Sequence, residues 1–245
     1  MNFSSNSSLL LNDSMFYEHR YKCSPFEQFL MVAITAVSNL AFTPALILLI
    51  RKKYYFPVFL GLFTEFTSFT YHFMESIALR KFLNMDEYQW HRLDNIGSIT
   101  CFMSLAVFLM DNRNPELDII LNYTALIINL ILQESDPWNL LTTVVPILSY
   151  FLLIHIMAWK RNRSPVYNKK MHRYGFIGLV PGVICFYYGL DEFKDYLRFF
   201  HGCWHFFIGV SSFFIWQVKA PVGEETTLST LLTKKVHTEI KYNIE

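Results

Sequence analysis

The chain has 245 residues, of which 53% are apolar or aromatic, 18% are aromatic and only 17% are charged, whereas a soluble domain carries roughly 25% charged residues. A net charge of +1, with no basic stripe interleaved with aromatics, excludes a surface built for nucleic acid. Lipid is the solvent that this composition suits.

In chain order, residues 1–27 read as a polar tail on the lumenal or extracellular side. Its only apolar run, Leu9, Leu10 and Leu11, is too short for a signal-peptide core, so the first span is expected to act as the insertion signal. The triplets at Asn2, Asn6 and Asn12 are N-glycosylation acceptor patterns that such a tail could use. Apolar runs then predict seven spans, over 28–50, 56–79, 93–110, 117–132, 140–159, 174–190 and 197–218, each approaching the ~20 residues needed to cross a bilayer. Backbone groups cannot go unpaired in hydrocarbon, so the spans are expected to be helices, and Pro44, Pro146 and Pro181 to be kinks. The fourth span is weakened by Asp118, Asn122 and Asn129. The sixth is short and interrupted by Gly178, Pro181, Gly182 and Gly189. An all-α, seven-transmembrane-helix bundle over 28–218, followed by a cytoplasmic tail over 219–245, is the expected architecture.

Cys23, Cys101, Cys185 and Cys203 show no CxxC pairing, and three of them lie inside apolar runs, where Cys acts as a small hydrophobe. Orientation follows the basic residues. Arg51, Lys52, Lys53, Arg113, the cluster in 160–173 and the tail lysines fall on one side. A smaller set, including Arg80, Lys81, Arg92, Lys194 and Arg198, falls on the other. The N-terminus is therefore expected outside and the C-terminus in the cytoplasm, in the plasma membrane or secretory pathway.

Ionisable groups inside spans are costly and mark functional sites by default. His201 and His205, in HGCWH, are four apart and share one helix face, about one turn from each other. Ser68 and His72, in SFTYH, repeat the spacing. Each piece has a structural alternative: paired rings as fillers at a helix end, a Ser bonded to its own backbone, and, for Asp94, a cap at the start of the third span. Depth joins them. The end of the second span and the starts of the third and seventh face one side of the membrane, which gathers His72, Asp94, His201 and His205. Three neutral imidazoles leave the fourth position of Zn²⁺ open, as catalytic sites do. Glu75, about one turn beyond His72, is a candidate partner of that ring. No partner for Glu65 can be assigned from sequence. His155 lies toward the cytoplasmic side, and His91 is expected in an interfacial loop with Trp90.

The segments SNLAF (38–42), RKKYYF (51–56), SFTYH (68–72), LDNIGS (93–98) and HGCWH (201–205) resemble the myomaker/TMEM-eight family. Beyond it lies the CREST hydrolase superfamily, with the alkaline ceramidases, adiponectin-type receptors and Per-one GPI-remodelling proteins. The resemblance covers roughly residues 28–218. It implies that His72, His201 and His205 bind zinc. It further implies that Asp94 acts as general base toward a water and that Ser68 hydrogen-bonds that water or the developing oxyanion. The implied reaction is hydrolysis of a membrane-lipid amide or ester of ceramide, phospholipid or GPI type. The alternative is a myomaker-like protein of membrane fusion or organisation with a non-catalytic zinc site.

Overall fold

The computed structural model describes residues 23–112, 114–134, 137–160, 167–191 and 194–219. The expected N-terminal acceptor triplets and most of the 219–245 tail lie outside the described residues. The described part is mainly helical, with seven helices. These are α1 (Pro25–Arg51), α2 (Tyr55–Ser76), α3 (Glu87–Leu109), α4 (Pro115–Leu132), α5 (Leu140–Lys160), α6 (Lys169–Gly189) and α7 (Phe199–Ile215). Four of them, α1, α3, α4 and α5, are long and apolar enough to cross a membrane by length and composition.

The helix α1 starts with a capping box. Ser24 caps the Glu27 amide, and the Glu27 carboxylate accepts from the Ser24 amide at 2.7 Å. Its middle departs from α geometry, with a π turn over Val32–Ala36 and a 3₁₀ segment over Val37–Phe42. The residues there explain the departure. Thr35 Oγ1 bonds the Met31 carbonyl at 2.8 Å, Ser38 Oγ bonds the Thr35 carbonyl at 2.7 Å, and Asn39 Nδ2 reaches the Thr35 and Ala36 carbonyls. Such side-chain bonds compete with the helical ladder. Pro44 then denies a donor to the Leu40 carbonyl.

The helix α2 is apolar outward and polar inward. Phe59, Leu62, Phe66 and Phe69 are exposed, whereas Thr67, Ser68, Tyr71, His72 and Glu75 are buried. A tight hairpin, Lys81–Phe82 against Met85–Asp86, joins it to α3. Leu83 and Asn84 both take positive φ there, the twist that a two-residue hairpin turn requires. Asp86 then caps α3 through a capping box with Gln89.

Two expectations from sequence change here. The third helix begins at Glu87, upstream of the expected residue 93, so Asp94 sits inside it and the cap is Asp86. For the same reason His91 and Trp90 are helical, not in a loop. Trp90 is buried and donates to the Phe82 carbonyl at 3.1 Å, while the His91 ring stacks on Trp138 at 3.8 Å. Asn122, expected to lie within a span, is on α4, where its Nδ2 bonds the Asp118 carbonyl at 2.8 Å.

The helix α7 is seated between α6 and α1 by glycines. On α6, Gly178 and Gly182 lie against Ser211 and Ile208, and Gly189 lies against His201. On α7 itself, Gly202 and Gly209 bring it onto the Ile34 and Ala41 backbone of α1. A Cβ at Gly209 would meet the Ala41 carbonyl at 2.6 Å. Small residues at such crossings let helix backbones approach closely, and this close seating fixes the height of His201 and His205 against α1 and α2.

Candidate metal centre

The structure brings His72 from α2 together with His201 and His205 from α7. Their ligand atoms all lie within 4.8 Å of one another, and His72 Nε2 is 3.1 Å from His201 Nε2. His72 and His205 are buried, and His201 is partly so.

The Nδ1 atoms of His72 and His205 each have a partner, and this fixes the tautomers of those two rings. Glu75 Oε2 accepts from His72 Nδ1 at 2.8 Å. The Thr35 carbonyl, an obligate acceptor, takes His205 Nδ1–H at 3.2 Å, with Ser38 Oγ 3.1 Å from the same nitrogen. With Nδ1 donating, each of these two rings turns an Nε2 lone pair inward. Lone pairs converging in a buried space favour a cation, and two nitrogens bound tetrahedrally at 2.0–2.1 Å from one zinc lie about 3.3 Å apart. The three rings thus offer nitrogen donors that could hold a metal ion, with the His72–His201 separation close to that which zinc requires.

Asp94 completes one wall. Its Oδ2 is 3.9 Å from His72 Nε2, and its Oδ1 accepts from Ser98 Oγ at 3.2 Å. Ser68, one helical turn before His72, is buried and lines the same cavity as Asp94, His201 and His205. All five residues singled out from the sequence thus meet in one place. His155, in contrast, is exposed on α5 and is not in the cluster.

Sequence reasoning missed the supports. Arg198, read from sequence only as a charge on the outer side at the start of the seventh span, is buried, with Nε 3.4 Å from Glu75 Oε1 and Nη1 donating to the Gly189 carbonyl at 3.1 Å. Leu197 and Arg198 take positive φ values of 57° and 56°, an uncommon conformation for bulky residues that turns the chain sharply into α7. Asp195 caps that start, accepting from the Phe200 and His201 amides at 2.8 and 3.0 Å. The only sequence signal for this group was the three-residue spacing of His72 and Glu75. Partners of this kind tune metal affinity 10–100-fold. If the three histidines hold a metal, Glu75→Gln is expected to weaken its binding by roughly tenfold or more, measured by chelator competition with zinc on purified protein. Unchanged affinity would reduce Glu75 to a packing role.

A cavity of about 420 Å³ reaches His201 and His205. His201, His205, Asp94 and Ser68 line one part, and Leu46, Leu49, Ile208 and Trp216 line another. The lining is mainly apolar, with further polar groups such as Asn39, Glu65 and Ser104.

A family model described as "Protein of unknown function (DUF3522)" matches residues 27–206, a stretch that holds all five candidate residues. The chain is 28% identical over 203 residues to Transmembrane protein 8B of Mus musculus, Homo sapiens and Bos taurus. The alignment covers 79% of this chain and 42% of each relative, so the chain spans less than half the length of the curated relatives that it matches.

Proposed function

This chain belongs to the DUF3522 family, and we propose that it is a seven-span membrane protein whose His72, His201 and His205 hold Zn²⁺ for hydrolysis of a lipid amide or ester, as in the CREST superfamily. The observation that carries this reading is the meeting of three histidine ligand atoms within 4.8 Å at the polar end of an apolar cavity.

Seven spans are supported by the lipid-like outer faces of the three helices that fall short by length or composition. These faces include Phe59, Phe66 and Phe69 on α2, Ile177, Val180 and Ile184 on α6, and Phe199 and Phe206 on α7.

When bound, zinc supplies a Lewis acid that polarises a carbonyl and lowers the pKa of water to ~7. The protein does the rest. Asp94 Oδ2, on the histidine side, takes the proton of an attacking water and returns it to the leaving amine or alcohol. The Ser98 hydrogen bond to Oδ1 holds that carboxyl group in place. Ser68 donates to the developing oxyanion. Glu75, anchored by Arg198, keeps His72 in the tautomer that presents Nε2. The apolar walls exclude bulk water and hold the acyl chain. The basic cluster around 160–173 supports a cytoplasmic C-terminus, which sets the site in the outer half of the membrane.

Purified wild-type protein is expected to carry about one zinc per chain and to release fatty acid from a panel of ceramide, phospholipid and GPI substrates. Zinc without release from any of them would favour the myomaker-like, non-catalytic reading. Absence of bound metal would remove the site.

A further inference from the structure

Two polar groups in the cavity take no part in the site above. Glu65, half-buried, lines it three and seven residues before Ser68 and His72. It therefore shares their face of α2, roughly 10 Å along the axis from His72. Thr43 Oγ1 donates to Glu65 Oε1 at 2.7 Å, which occupies one of about four acceptor positions of a carboxylate. Ser104 lines the cavity from α3, is only 2% exposed and has no hydrogen-bond partner for its hydroxyl among the described residues. It lies ten residues after Asp94, roughly 15 Å along α3. The tight hairpin makes α2 and α3 run in opposite directions, so both groups are displaced from the histidines toward the same end of the cavity. The wall around them is apolar, with Leu46, Leu105 and Ile208.

We propose that the cavity is a binding site with two polar anchors, which takes a long-chain lipid carrying a hydrogen-bond donor, a hydroxyl or an amine, part-way along its chain. The carbonyl end lies at the histidines, and the donor is received by Glu65, with Ser104 beyond it. An unsubstituted chain would lay methylenes against a carboxylate and leave the Ser104 hydroxyl unbonded, an unfavourable use of buried polar groups. A site built to hydrogen-bond a ligand donor discriminates strongly against the analogue lacking it. The inference rests on the reading of the cavity as a lipid site.

The test is displacement of a fluorescent acyl probe from the purified full chain. The competitors are fatty-acyl ethanolamides of one chain length bearing a mid-chain hydroxyl, a mid-chain amine, a hydroxyl next to the carbonyl, or none. Both mid-chain donors are expected to bind at least about tenfold more tightly than the other two, the span of one charged hydrogen bond. Glu65→Ala is expected to abolish the preference while retaining affinity for the unsubstituted chain. Glu65→Gln, nearly isosteric, is expected to keep the hydroxyl preference and to lose about tenfold for the amine, which separates the two donor chemistries and decides the matter if Glu65→Ala does not fold. Equal binding of all four lipids to wild type, or a preference that survives Glu65→Ala, would overturn the proposal. Repeating the series in His205→Ala keeps the two readings apart. A mid-chain preference there, with no hydrolysis by wild type, removes the hydrolase and leaves this site standing.

Discussion

His205→Ala is expected to drop bound zinc from about one per chain to a small fraction and to lower lipid turnover by at least about a thousandfold, the equivalent of several kcal/mol of transition-state stabilisation. The His205 Nδ1 bonds to the Thr35 carbonyl and Ser38 are side-chain bonds to a helix that holds its position through Gly202 and Gly209. The fold should therefore survive the substitution. Metal analysis beside circular dichroism in detergent separates the effects. Full zinc occupancy in a folded variant would remove His205 from the ligand set.

Asp94→Asn should act differently. The amide keeps the shape and a hydrogen-bonding oxygen for Ser98, but it cannot accept a proton, so kcat is expected to fall by about 10² to 10⁴, the usual contribution of a positioned general base. Zinc content should stay near one per chain, because Asp94 Oδ2 stands 3.9 Å from His72 Nε2, beside the converging nitrogens and not among them. Turnover within threefold or so of wild type would exclude Asp94 as the base, and loss of zinc would make it a ligand.

The seven helical segments and the five residues that meet were legible in the sequence because both signals are local or periodic. Four-residue spacings place Ser68 with His72 and His201 with His205 on single faces, and the alternating direction of helices joined by short links sets their height. Three things were not legible. The start of α3 was hidden by a polar first turn, Glu87 to Arg92, that reads as loop until the Asp86–Gln89 capping box is seen. Arg198 read only as an orientation charge because its burial depends on Glu75, more than a hundred residues away in sequence. The role of α1 left no trace of charge, since it reaches His205 through the Thr35 carbonyl and the Ser38 hydroxyl. The helices that hold the candidate residues also obscure themselves. On α2 the site is made of Ser68, His72 and Glu75, and each inward polar group lowers the apolar signal by which a span is recognised.

The broken ladder of α1 bears on how the site can be probed. Thr35 offers His205 a main-chain oxygen, which any residue at that position would also supply. A side-chain scan would thus not remove that oxygen, and the sensitivity lies in the backbone geometry set by the side chains of Thr35, Ser38 and Asn39 and by Pro44. Substitutions that let α1 relax into a regular helix would withdraw that oxygen into the ladder and free the His205 ring to turn over, with every histidine still in the sequence.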